Sequence, residues 1–280
     1  MFPSPVPLTR RHLLSAAAGL FALAAGLAPA AAADQLADIK AAGTLRVATF
    51  DSNPPFGSID PSTYNLVGYD VDFAKAIAQA LGVKLQLVST NPANRIPLLQ
   101  SGKVELIVAD LTITPERAQV LDFSIPYFET GLELLVPASS SDALSSFATA
   151  RIGAVKGTTG EQALKARFPG SRVLSYDDIP TALAALRNGS VDAIAQDSTI
   201  LAGLLAEAPD RAKFKILPDR LSREIIGIGL AKGQPALLAK VNEILVGLEK
   251  DGQAKAIYDK WFGPGTKFAS PRSFTIGVTN

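Results

Sequence analysis

Beyond residue 44 the hydrophobic positions follow two alternating periods. Short β-rich runs at 45–50, 84–88, 104–109 and 152–155 read as strands. Between the first two lies a helical stripe, in which Val71, Phe73, Ala74, Ile77, Ala78 and Leu81 share a face and Gly82 supplies the stop. Residues 51–63 read as a loop. Residues 96–100 read as a short helix ended by Gly102. Strand and helix in regular alternation predict an α/β protein with mostly parallel sheets.

One pattern occurs twice. Residues 98–110 read LLQSGKVELIVAD and residues 185–197 read ALRNGSVDAIAQD, aligning without a gap. Leu99/Leu186, Gly102/Gly189, Val104/Val191, Ile107/Ile194 and Asp110/Asp197 are identical, and Glu105 and Asp192 match in charge. Each copy is a helix end, a glycine stop, an acid, then a buried strand that finishes at an aspartate. Either two common connections coincide, or the chain holds two α/β lobes of related build. In the second case Asp110 and Asp197 sit at carboxyl ends of strands, where open α/β sheets gather ligands. They would then face one cleft from opposite sides, and such lobes close like a hinge.

The N-terminus follows different rules. Arg10-Arg11 precede an Ala/Leu/Gly run from Ser15 to Leu27, and small residues follow to Ala33. A charged start, a short apolar run and an Ala-x-Ala exit make a secretory signal over 1–33, cut after Ala30 or Ala33. The run is too short to span a bilayer. The arginine pair reads as a twin-arginine address or as two ordinary charges of a general signal.

Loss of Arg10 and Arg11 takes the formal charge from +1 to −1, with no bulk attraction to nucleic acid. The chain has no cysteine, which excludes disulfides, thiolate metal sites and a lipid-modified N-terminal cysteine. Its one histidine, His12, lies in the signal. The mature chain therefore lacks the commonest general base, metal ligand and thiol nucleophile. That weighs against catalysis, and neither cofactor nor metal is expected.

Two turns carry candidate chemistry. Thr114 is placed to cap a helix that begins at Pro115, with Glu116 in its first turn and Arg117 projecting from it. A guanidinium there suits a carboxylate held bidentately, or is simply a solvated arginine. Lys156-Gly157-Thr158-Thr159-Gly160-Glu161 joins a strand to a helix. It makes either an anion-binding corner of backbone N–H groups or a plain turn. It is not a phosphate-binding P-loop, since the glycine and lysine order is wrong.

GYDVDFAKAIAQALG (68–82), ADLTITPERAQVLDFSIPYFETG (109–131) and IYDKWFG (257–263) together resemble the amino-acid-binding proteins of bacterial ABC importers. The resemblance runs from about Gly43 to Gly263. It implies a two-lobed, type II periplasmic-binding-protein fold of the α/β class. Each lobe would be a mostly parallel sheet flanked by helices, with two hinge crossings near 127–131 and 221–226. Lobe 1 would comprise 34–130 plus 226–263 and lobe 2 residues 131–225, with 264–280 a C-terminal extension.

Carried over by position, the resemblance makes Arg117, helped by Thr112, the clamp for a ligand α-carboxylate. Thr159 and Gly160 would complete that site from the other lobe. Asp197 and the backbone at Ala109 and Asp110 would take the α-ammonium. Phe56 and Tyr127 are expected to be packing. Arg95 stands where acidic-amino-acid binders can reach a side-chain carboxylate, and Phe50 stands where binders of basic amino acids often carry an acid. Asn53 replaces an aromatic that commonly packs on the ligand. Asp110 replaces a small residue; it either pairs with Arg95 or signals a polar or basic ligand. Glutamate or aspartate is the ligand expected.

The implied protein is a monomeric periplasmic receptor that passes a free amino acid to an inner-membrane ABC permease, without nucleic acid. Two rivals share the scaffold: a sensor for a membrane kinase, and a cyclohexadienyl or arogenate-type dehydratase. The dehydratase would need a general acid, for which Glu161 and Asp110 are the candidates. The tail past Pro264 alternates at Phe274, Ile276 and Val278, so it reads as an edge strand or as disordered chain.

Overall fold

The computed structural model describes Met1 and residues 34–278. Residues 2–33, on which the export signal is read, and 279–280 lie outside the described residues. Helix α1 (Gln35–Ala42) starts where the Asp34 carboxylate accepts the Leu36 N–H, and delivers the chain to β1 (Thr44–Phe50). Short strands β2 (Ser52–Asn53), β3 (Gly57–Ile59) and β4 (Leu66–Val67) follow as a small side sheet. These replace the expected loop, because strands of two or three residues leave no period to read. Helix α2 (Tyr69–Leu81) buries its predicted stripe and ends at Gly82, in the left-handed region at φ +71°.

Strand β5 (Lys84–Thr90), helix α3 (Arg95–Gln100), strand β6 (Leu106–Ile107), helix α4 (Pro115–Val120) and strand β7 (Asp122–Phe123) complete the first outward pass. β6 is shorter than the 104–109 read from the sequence. Its hydrogen bonds to β1 run on one step each side, from Glu105 N–H to Arg46 O (2.9 Å) and Val108 N–H to Ala48 O (3.0 Å). Beyond that, the Ala109 and Asp110 carbonyls turn toward the Arg95 guanidinium and leave the ladder.

Strand β8 (Phe128–Pro137) carries the chain into a second sheet. There follow β9 (Arg151–Val155), α5 (Gly160–Arg167), β10 (Arg172–Tyr176), α6 (Ile179–Arg187), β11 (Ala193–Asp197), α7 (Ser198–Glu207) and β12 (Phe214–Ile216). Strand β13 (Ser222–Ile226) returns the chain beside β8, antiparallel, with Phe128 opposite Ile226. Strand β14 (Gly229–Leu230) re-enters the first sheet, and helices α8 (Pro235–Lys250) and α9 (Gln253–Phe262) pack on each other and on α2.

The first sheet runs β5-β1-β6-β14-β7 and the second β10-β9-β11-β8-β12, with β13 also on β8. Three strands are parallel in each (β5, β1, β6 and β10, β9, β11), and the strands added at the crossings are antiparallel. Both sheets are therefore mixed, because a chain that crosses between lobes must return along itself.

The repeated pattern is structural. In one lobe the Glu105 carboxylate accepts the Arg46 N–H (2.7 Å) and Nε (2.7 Å). In the other Asp192 accepts the Arg151 N–H (2.9 Å) and Nη2 (2.6 Å). Each acid's own N–H returns to the same arginine's carbonyl, at 2.9 and 2.8 Å. The acid thus pins the start of its strand to the strand before it, twice over.

Beneath the crossings sits an aromatic cluster. Phe128 packs on Phe56 (centroids 5.0 Å), Tyr69 (5.1 Å) and Phe262 (5.1 Å), and Tyr127 stacks on Tyr69 (6.0 Å). Phe56 and Tyr127 are fully buried there, the packing role expected of them. The tail from Pro264 to Val278 is neither edge strand nor detached chain. It is irregular and packed: Phe274 lies on Phe128 (5.3 Å) and Tyr258 (5.8 Å), and Ile276 is buried. Side-chain burial, not strand pairing, takes up Phe274 and Ile276, while Val278 stays exposed.

Candidate functional site

The carboxyl ends of β6, β9 and β11 converge between the sheets. Asp110 follows β6, the 156–160 turn follows β9, and Asp197 ends β11. A cavity of about 10 Å³ lies among them, room on the order of one water molecule. Its lining takes in seven of the ten candidates: Phe50, Asn53, Arg95, Asp110, Thr112, Thr159 and Asp197. Arg117, Gly160 and Ala109 stand just outside that lining.

Helix α3 directs Arg95 inward, where it is 2% exposed. Its Nη1 donates to Ala109 O (2.7 Å) and Asp110 O (2.8 Å), and its Nη2 to Gly157 O (3.2 Å). The guanidinium lies over the Phe50 ring at 5.4 Å, so Phe50 is a platform for this arginine. Burial, and then the charge of Arg117, pulls the Arg95 pKa down to about 9. The expected Asp110–Arg95 pair takes a different form. The arginine holds the Asp110 carbonyl, and the Asp110 Oδ1 has no hydrogen-bond partner.

Asp110 is held in the left-handed region, φ +44°, which costs energy for a residue with a side chain. Two groups hold it there: Arg95 on its carbonyl, and the Asp70 carboxylate on its N–H (2.8 Å). The other Asp70 oxygen accepts the Tyr127 hydroxyl (2.6 Å). Asp70 belongs to the GYDVD motif, read from sequence only as a helix start; its true task is to fix the backbone at Asp110.

Thr114 caps α4 as expected, accepting the Arg117 N–H at 3.2 Å. The Arg117 guanidinium folds back over Thr112 O (2.8 Å) and reaches Gly157 O (2.9 Å) in the other lobe. Burial lowers its pKa, opposed first by the nearby Glu224. The 156–160 turn differs from an anion-binding corner. Its Thr158 and Gly160 N–H groups are spent locally, on Val155 O (3.2 Å) and Thr158 Oγ1 (3.3 Å). It instead offers the Gly157 carbonyl to two arginines. Gly157, at φ +76°, presses so close to Pro92 O and Ala93 that a Cβ would lie 2.7 Å from each. No larger residue fits this contact.

Thr159 donates to Glu224 (2.9 Å), a buried acid on the returning strand β13. Sequence reasoning missed Glu224, whose only signal is an acid in an otherwise apolar strand end. It also missed Gln196, which lines the cavity beside Asp197. Burial, then the charge of Asp110, raises the Asp197 pKa well above the carboxylate range, and burial raises that of Asp110. Two buried acids this close to one another disfavour double ionisation. Glu161, offered as a general acid, bonds to Ser175 and stands outside the cavity lining.

This is a charge-dense, closed cleft with cations from one lobe and acids from both. Its setting has close relatives. Residues 45–264 match the bacterial extracellular solute-binding proteins, family 3. The chain is 36% identical over 211 residues to the ABC transporter glutamine-binding protein GlnH of Bacillus subtilis, covering 74% of this chain and 76% of that one. It is 32% identical over 247 residues to the L-cystine-binding protein TcyJ of Escherichia coli, covering 86% and 92%. Among solved structures, an ancestral arginine-binding protein bound to arginine matches at TM-score 0.74 and 39% identity, covering 79% of this chain and 99% of that one. The ancestral amino acid-binding protein AncCDT-1, a precursor of cyclohexadienyl dehydratase, matches at 0.75 and 33%, covering 82% and 100%. The crossings, the mixed sheets and the match over most of the chain lead to one conclusion: the chain belongs to the family 3 bacterial extracellular solute-binding proteins.

Proposed function

We propose that this protein captures a free amino acid between its lobes, outside the cytoplasm, and presents it to an ABC permease as a monomer. The carrying observation is that Arg117, bonded across to Gly157 of the other lobe at the edge of the cavity, lies within the field of Asp197, which lines that cavity. They supply the fixed cation and fixed anion that a zwitterion requires. Arg117 with Thr112 takes the α-carboxylate, joined from the other lobe by the Thr159 hydroxyl, and Asp197 takes the α-ammonium. At about 1.5–3 kcal/mol per charged hydrogen bond, these contacts supply much of the roughly 8 kcal/mol of micromolar affinity. The cavity has no room for an amino acid with the lobes together, so entry requires them to part.

The acidic ligand expected from Arg95 loses its main support. That guanidinium is committed to three carbonyls, with only Nε unpartnered. Three carboxylates, Asp110, Asp197 and Glu224, face two arginines. This balance favours a neutral or cationic side chain over glutamate or aspartate, in keeping with the glutamine, cystine and arginine binders among the relatives. Calorimetric titration of the chain from Asp34 with each L-amino acid tests both parts. Tight binding of glutamine, cystine or arginine, with glutamate at least about tenfold weaker, is expected. Preference for glutamate would overturn the charge argument. A folded protein that binds no amino acid would overturn the receptor.

A further inference from the structure

The family match ends at residue 264, yet the chain continues in a defined path across the back of the molecule. Leaving α9 on the first lobe, it passes over α7, which packs on β8, β11 and β12 of the second sheet. There Lys267 Nζ pairs with Glu207 (3.1 Å) at the end of α7, and the Phe268 ring occupies the space above Gly203. The path then returns. The Ser270 carbonyl accepts the Tyr258 hydroxyl (3.1 Å), and Arg272 forks onto Glu249 of α8 (2.9 and 2.5 Å). Phe274 finishes on Phe128, the first residue of the crossing strand β8.

Gly203 is the informative residue. It lies buried within α7, where glycine weakens a helix relative to alanine. A methyl group there would run into the Phe268 ring. The helix thus gives up intrinsic stability at the one point where the tail crosses it. Both anchors on the first lobe are strong: the Arg272–Glu249 pair is mostly buried, and its guanidinium also lies 4.7 Å from the Phe274 ring centroid.

We propose that residues 264–278 form a strap joining the two lobes behind the hinge, and that it biases the cleft toward closure. Seated on α7, anchored on α8 and α9, it must shear wherever the lobes rotate apart. The strap contacts and the Arg95 and Arg117 bonds to Gly157 occur in one and the same conformation. Each set therefore stabilises the other, and loosening the strap shifts the population toward open.

The absence of cysteine makes the test clean. Spin labels at Lys103→Cys and Lys165→Cys, both exposed and on opposite lobes, report the interlobe distance by electron–electron resonance in the full mature chain. Gly203→Ala should raise the long-distance population about three- to tenfold, and Lys267→Glu less, because that pair is exposed. Adding Glu207→Lys to Lys267→Glu should restore the parent distribution. A Gly203→Ala protein with an unlowered melting midpoint and the parent distance distribution would overturn the strap. Titration with L-glutamine, L-arginine and L-cystine gives the second readout, which rests on the receptor reading: because the closed cavity has no room for an amino acid, tighter apparent affinity by a similar factor is expected. If the parent binds none of the three, the receptor reading falls while the distances still judge the strap.

Discussion

Arg95 and Arg117 both donate to the Gly157 carbonyl, yet they do different work. Arg95 is buried and holds two consecutive carbonyls around a left-handed Asp110. Arg95→Ala should therefore cost about 3 kcal/mol of stability, because it strips donors from buried acceptors and leaves buried acids unmatched. Arg117 is part-exposed on a short helix. Arg117→Ala should cost under about 1 kcal/mol of stability and abolish measurable ligand binding. Urea unfolding and calorimetric titration of the two variants separate the roles; equal stability losses would refute the division. From the sequence the pair could be named but not ranked, since nothing local states which guanidinium a set of distant carbonyls will claim.

At the scale of elements, the repeated helix–glycine–acid–strand unit performs the same task in both lobes at different depths. The Glu105 side chain is 9% exposed and the Asp192 side chain 43%. Glu105→Gln should then cost about 1–2 kcal/mol and Asp192→Asn under about 1 kcal/mol. Denaturant midpoints of the two variants check this, and an inverted order would mean that solvent screening is not what distinguishes the copies. The repeat was legible because alignment needs no partner: glycine, acid and strand lie in one stretch of chain. The partners of these acids, Arg46 and Arg151, were not, because each sits more than 40 residues upstream.

For the whole molecule, closure brings the Asp110 and Asp197 carboxyls together among Asp70, Glu224, Arg95 and Arg117. Their folded pKa values lie above the ordinary 3.8, so the closed fold holds protons that the unfolded chain has released. Stability from this source is present at low pH and is lost as pH rises through the raised folded values. Asp110→Asn should flatten that dependence. The difference in melting midpoint between parent and variant should change as pH falls from about 8 to about 5, in the direction of greater parent stability at acid pH. A constant difference would show that the pair shares no proton. A ligand ammonium seated between these acids would displace that proton, so binding should release protons and vary with buffer ionisation enthalpy.

By itself the sequence determined the α/β alternation, the repeated unit, the capped turn at Thr114 and the set of charged residues from which the cleft is built. Each of these is written in neighbours along the chain, where periodicity, glycine stops and capping act over a few residues. Only the tertiary structure decided that Arg95 is spent on carbonyls, that Asp70 and Glu224 belong to the site, and that the tail crosses both lobes. Those outcomes depend on which buried donors meet which buried acceptors. That choice is made between segments 14 to 65 residues apart in sequence, by packing that keeps most buried polar groups from water.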